Sequence, residues 1–203
     1  MTKHAARKPP TNKTKRRRAS PARDRILATA AELFYERGVH AVGIDEIIDR
    51  SGVAKMSLYN NFDSKDALIV AYLRARHEKW MVWLQSAVES RGGSPPRRLL
   101  AVFDALAEWC GSGEYRGCAF INTAAELCDP KHPARAVCRE HKESLRAYLE
   151  QLAAAAELKH PGKVAGQLLI LVDGAIVTSL LAGSAAAVGD AKEAARVLIS
   201  EAS

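Results

Sequence analysis

The stretch Ser51–Leu68, SGVAKMSLYNNFDSKDAL, decides how this chain is read. Gly52 suits the left-handed turn that closes one helix, and a second helix over Ala54–Phe62 then has Ala54, Leu58 and Phe62 at four-residue steps on a buried face. Met56, Ser57, Tyr59 and Asn60 project from the other side, with Lys55 and Asn61 at the boundary. A long apolar tip, a hydroxyl, a phenol and an amide do little to fold a helix, but they match what a DNA groove offers. Amide and hydroxyl groups bond base edges or phosphates, a phenol reaches a phosphate oxygen, and an apolar tip packs on a thymine methyl. In DSKDAL, Ser64 reads as an N-cap and Lys65 falls in the first turn, where a cation opposes the helix dipole. A phosphate beside that helix start would satisfy both the lysine and the free backbone N–H groups. Helix, glycine turn, reading helix and phosphate clamp together spell a helix-turn-helix.

Upstream, RDRILATAAELFYERG places Ile26, Ala30, Leu33, Phe34 and Arg37 at helical spacing and stops at Gly38. IDEIIDRSG repeats the pattern with Ile44, Ile47 and Ile48, and its early acids complement the macrodipole. Before these helices the composition changes. Eight of the chain's Lys/Arg lie within residues 1–22, with no acid among them, so the rest of the chain carries a slight net negative charge although the whole stands at +7. Such a segment, with Pro9, Pro10 and Pro21 and almost no large apolar side chains, is expected to be a disordered basic arm. It acts either as a solubilising leader or as an arm laid along DNA, with Arg16, Arg17 and Arg18 as its densest charge. The segment from Arg23 to Tyr72 holds six Lys/Arg against eight Asp/Glu, so the folded reader is not itself basic and the arm gains weight as part of the interface.

From about Arg23 to Leu73, ILATAAELFYERG, IDEIIDRSGVAKMSLYNNF and SKDAL resemble, in that order, the DNA-binding domain of the TetR/AcrR family of bacterial repressors. The resemblance implies that Lys55, Met56, Ser57, Tyr59, Asn60 and Asn61 lie on the recognition helix. Ser57, Tyr59 and Lys65 match phosphate contacts, which leaves base reading to Lys55, Met56 and Asn60. The chain departs from the family pattern in several places. Gly43 and Ala54 stand where Ser or Thr often caps a helix, Ile48 replaces a usual Ala, Met56 a common Gly, and Asn61 a common His. Asp45 falls near a basic DNA contact of some members, where it either accepts from a cytosine amine or complements the helix dipole. Tyr59 has a plainer use too, packing between helices.

Beyond Leu73 every segment stays helical and no β pattern is seen. The expected architecture is all-α with about nine helices: an arm over 1–22, a helix-turn-helix domain over 23–73, and a helical domain over 74–203 that the resemblance assigns to ligand binding and dimerisation. A helix apolar on nearly all sides, Val164–Ala182, suits burial between its own core and a partner subunit, so a homodimer through about 163–202 is expected. One short helix specifies too few bases, and paired half-sites on a palindromic double-stranded operator cure that. The family's regulators answer small hydrophobic or aromatic inducers by spreading the two reading heads. Tyr72, Trp80, Trp83, Phe103, Trp109, Phe120 and Asn122 are either the lining of such a pocket or ordinary core.

Four cysteines offer a rival sensor. Cys118, next to Arg116 at a helix start, is the candidate for a thiol- or electrophile-responsive repressor, while inert burial is the plain alternative. Cys128, His132, Cys138 and His141 have poor zinc spacing, with two prolines between them, so no metal and no cofactor are expected. No nucleophile–base pair or phosphate loop points to an enzyme. The start MTKHAARKPP has no apolar export signal, and the most apolar stretch carries Gln167 and Asp173, which are costly in lipid. A cytoplasmic location without membrane attachment is expected. A helical interaction module without DNA readout is the remaining alternative, and it leaves the polar face of the third helix unexplained.

Overall fold

The Ser20 hydroxyl accepts a hydrogen bond from the Arg23 N–H at 3.1 Å, and Pro21 takes the first position of the helix that follows. In the computed structural model, which describes residues 20–203, helix α1 (Pro21–Arg37) therefore begins inside the stretch expected as an arm through residue 22. The rest of that arm, with Arg16, Arg17 and Arg18, lies outside the described residues. Ile26, Ala30, Leu33 and Phe34 bury one face of α1, as their spacing predicts, and Gly38 ends it at φ +86°. Helix α2 (Ile44–Ser51) buries Ile47 completely and closes at Gly52 in the left-handed region. Helix α3 (Lys55–Asn61) follows after a short turn.

Neither Gly43 nor Ala54 provides a side-chain cap, and other contacts hold these two short helices. An Arg37–Glu46 ion pair links α1 to α2. The Asn61 amide donates to the Ser57 carbonyl at 2.7 Å and accepts from the Ser20 hydroxyl at 3.3 Å, tying the end of α3 to the start of α1. Leu58 is fully buried beneath α3, with Phe62 beside it. Truncating Leu58 to Ala would cost about 2–5 kcal/mol and unseat the helix. Ala54, expected on that buried face, is instead the exposed N-cap residue, because α3 starts one residue later.

Helix α4 (Lys65–Arg91) starts under a Ser64 cap and runs 27 residues, about 40 Å at the usual rise. The boundary expected after residue 73 falls inside it. Leu68, Ile69, Tyr72 and Leu73 of its first half are buried near α1, and Leu84 and Val88 lie in the upper bundle. One rigid rod thus belongs to both halves of the molecule. The upper bundle adds α5 (Pro95–Cys110), α6 (Ala119–Glu126), α7 (Pro133–Ala155), α8 (Pro161–Ala182) and α9 (Ala186–Ala202). The fold is all-α, with nine helices and no strand among the described residues. Helix α8 packs on α7 and α9, and α5 packs against α4, α7 and α9.

Helix α8 is long and apolar enough, by length and composition, to cross a membrane. Here it buries Val164, Leu168, Val172 and Ile176 in the bundle, and its Asp173 pairs with Lys142 of α7 at 2.5 Å. Its opposite face is bare, with Ile170 at 72% and Leu181 at 83% exposure.

Candidate nucleic-acid interface and the adjoining cleft

Helix α3 presents Lys55, Met56, Tyr59 and Asn60 to solvent, with Met56 at 67% and Tyr59 at 42% exposure, while Ser57 is half-buried. Met56 and Tyr59 are among the large apolar side chains the fold leaves out, so packing does not explain them. The Lys55 ammonium lies 3.2 Å from an Asp45 carboxylate oxygen, an exposed pair between the starts of α3 and α2. Such a pair stabilises the fold by about 0–1 kcal/mol. Lys65, half-buried at the start of α4, reaches the His40 carbonyl only loosely, at 3.5 Å. Asn61 differs from the sequence expectation. Both ends of its amide are used inside the fold, on Ser57 and Ser20, so it braces the reading helix.

Further along α4, residues one and two turns apart build a cleft of about 300 Å³ lined by Ala31, Tyr72, Ala75, Arg76, Lys79, Trp80, Trp83 and Trp109. The three indoles form its wall, at centroid separations of 5.9 Å (Trp80–Trp83), 6.0 Å (Trp80–Trp109) and 6.2 Å (Trp83–Trp109). Trp80, Trp83, Trp109 and Tyr72 are thus brought together on one cleft. Phe103 is not, since it is fully buried in the core. Asn122 is not either, because its side chain donates to the Arg116 carbonyl at 2.9 Å and clasps the loop before α6. Phe120 is buried and stacks on His141 at 3.6 Å, lining only a small adjoining void and an outer groove.

The sequence reading missed Arg76 and Lys79, although the series 72, 76, 79, 80, 83 is one helical face. It also placed His141 only in a doubtful zinc set. His141 is buried with its Nδ1 3.1 Å from that of His77, and Trp80 lies edge-on to it. Burial, then the positive charges of Lys142, His77 and Arg76, push its pKa down to about 3. The imidazole is therefore neutral at ordinary pH, and one ring nitrogen of the pair donates to the other. No three His, Cys, Asp or Glu side chains converge as a metal set among the described residues.

The cleft adjoins a junction between the two halves. The Arg76 guanidinium lies over the Tyr35 ring at 3.6 Å, and the Tyr35 hydroxyl donates to the Gly117 carbonyl at 3.2 Å while accepting from the Arg116 N–H at 3.0 Å. At the other end of α6, Glu126 accepts from the His40 N–H at 2.8 Å. Helix α1 and the loop after it are thus fastened to both ends of α6.

Cys118 does not have the environment expected of a thiol sensor. It is buried at the N-cap of α6, and the Arg116 guanidinium is engaged by the Gly113 and Tyr115 carbonyls. Burial pushes the Cys110 thiol up and that of Cys138 up to about 11, which leaves both poorly nucleophilic. Cys128 alone of the four is exposed.

Two family models match the chain in sequence: bacterial regulatory proteins of the tetR family over residues 26–72, and the tetracyclin repressor-like C-terminal domain over residues 95–195. Among curated relatives, the HTH-type transcriptional repressor NemR of Escherichia coli is 30% identical over 130 residues. That match covers 64% of this chain and 65% of NemR. The HTH-type transcriptional regulator YjdC of Escherichia coli is 24% identical over 177 residues, covering 87% of this chain and 93% of YjdC. Among solved structures, a TetR-family transcriptional regulator from Streptomyces coelicolor superposes with a TM-score of 0.81 at 29% identity, over 89% of this chain and 95% of that one. The reduced form of Escherichia coli NemR shares the fold, with a TM-score of 0.76 at 24% identity over 87% and 96% of the two chains. With both halves matched in order and the helices packed as in those structures, the chain belongs to the tetR family of bacterial regulatory proteins.

Proposed function

We propose that this chain is a cytoplasmic, homodimeric, sequence-specific DNA-binding repressor that leaves its palindromic operator when a small hydrophobic or aromatic ligand enters the tryptophan cleft. The observation that carries the DNA reading is the exposed face of α3, whose Met56, Tyr59 and Asn60 have no packing role. Asn60 and Met56 read base edges in the major groove, with Lys55 set beside them by Asp45. Tyr59, Ser57 and Lys65 hold phosphates and fix the register. The arm with Arg16, Arg17 and Arg18 adds sequence-independent attraction, which the acid-rich folded reader needs. Dimerisation uses the bare faces of α8 and α9, where Ile170, Val177, Leu180, Leu181 and Val197 are exposed. NemR is itself named a repressor.

The test is selection of bound sequences from a random duplex pool with the full-length chain at near-physiological salt. A palindrome with half-sites about one helical turn or slightly more apart supports the dimeric reader, and Asn60→Ala must then change the preferred bases. Binding without sequence preference would leave only the basic arm active and would overturn the reading.

A further inference from the structure

We infer that the three-tryptophan cleft takes a flat aromatic anion, a carboxylate in the simplest case, and that the anion works by drawing Arg76 off the Tyr35 ring. This rests on the cleft being the effector site proposed above. Three indoles set at mutual angles present faces and edges to a planar ring. The polar groups along the same wall are Arg76, Lys79 and the Tyr72 phenol, and no carboxylate lines the cleft. Neither Arg76 nor Lys79 has an ion-pair partner among the described residues. Tyr72 is almost wholly buried. Burial holds that phenol protonated, and Tyr72 shares the cleft wall with Arg76. Two cations in a half-enclosed apolar wall repel a cationic ligand and give a neutral one only the weaker hydrogen bonds of an uncharged acceptor. A carboxylate answers the two cations with charge-assisted bonds.

Arg76 connects recognition to release. Its present contact is the face of Tyr35, and a bidentate charge-assisted pair with a carboxylate outcompetes a cation–π contact. Tyr35 in turn joins α1 to the Arg116–Gly117 backbone ahead of α6. Moving the guanidinium into the cleft uncovers that ring and loosens the joint between the reader and the bundle.

Calorimetric titration of the full-length chain with three probes on one ring system tests the class: 2-naphthoate, its neutral amide, and 2-naphthylmethylammonium. The carboxylate should bind at least tenfold more tightly than the amide, with the ammonium weakest. Lys79→Gln, an exposed change that spares the fold, and Arg76→Gln should each bring the carboxylate toward the amide while leaving the amide unchanged. Equal or tighter binding of the amide or the ammonium overturns the anion class and leaves the cleft as a ligand site. If none of the three binds at millimolar concentration, both this inference and the effector reading of the cleft fall. The relay is read separately by amide hydrogen exchange, since saturating 2-naphthoate should speed exchange at the Arg116 N–H. Unchanged protection there, with the probe bound, overturns the role given to Arg76.

Discussion

Glu126, the last residue of α6, occupies the space that a side chain on Gly38 would need: a Cβ at Gly38 would lie 2.6 Å from the Glu126 Oε1. Gly38 also has φ +86° and ψ 159°, a region open almost only to glycine. The contact explains why the C-cap of α1 is glycine beyond the needs of the helix itself. The reader meets the bundle at this spot, with the carboxylate bonded to the His40 N–H.

Gly38→Ala should therefore destabilise the chain by about 2–4 kcal/mol, adding backbone strain of roughly 1–3 kcal/mol to the loss of a hydrogen bond of about 1 kcal/mol. Glu126→Ala should lose only the latter. Urea unfolding checks both, and a Gly38→Ala loss below about 1 kcal/mol would show that the backbone at this position carries no such strain.

Tyr35→Phe keeps the ring beneath Arg76 and deletes the hydroxyl that bridges Arg116 and Gly117. Two ordinary hydrogen bonds are lost, so unfolding should become easier by about 1–2 kcal/mol. Exchange at the Arg116 amide should quicken without any ligand. Thermal melts with no shift would show that water replaces the hydroxyl.

Asp45→Asn removes a negative charge from the reading head and frees Lys55 from its 3.2 Å partner. Binding to any duplex should tighten, and the salt dependence should steepen by about one ion equivalent. Fluorescence anisotropy across a salt series measures this. A fall in affinity with altered base preference would instead assign Asp45 to a cytosine amine.

Leu181→Glu places a charge on a residue 83% exposed in the single chain, so the protomer should fold normally. Light scattering should show a monomer in place of the proposed dimer, and operator affinity should drop at least tenfold. A variant that remains dimeric would move the interface away from this end of α8.

His141 is neutral in the fold, with a pKa near 3 against an ordinary value of about 6.5 when unfolded. The unfolded chain therefore binds a proton that the fold does not. The full stability is present above about pH 6.5, and it falls as the pH drops toward 3, by up to about 1.4 kcal/mol per unit. The charges facing the ring are His77, Lys142 and Arg76. His141→Gln should flatten this part of the pH–stability curve, and parallel curves for the two chains would contradict the depressed pKa.

Several features of this protein are written locally. The spacing of Ile26, Ala30, Leu33 and Phe34, the stops at Gly38 and Gly52, the Ser64 cap and the polar face of α3 depend on neighbours within a turn or two, and each is found where its pattern predicts. Helix periodicity and capping are short-range physics, so the all-α fold and the helix-turn-helix were legible from the residues alone. Periodicity cannot separate a buried aromatic from one lining a cleft, and so Phe103 and Trp109 looked alike although one is core and the other wall. It also cannot say which partner a polar side chain will meet. Asn61 faced inward to Ser20, Asn122 closed a loop, and Cys118 was covered, each decided by an element distant in the chain. The gathering of Arg76, Tyr35, Gly117, Gly38 and Glu126 into one junction belongs to the same class. The sequence by itself determined the helices and the exposed polar face of α3, because those follow from contacts one to four residues apart. Only the tertiary structure decided the cleft, the placing of Arg76 and Lys79 on its wall and the joint to α6, because packing chooses among long-range partners that no local pattern distinguishes.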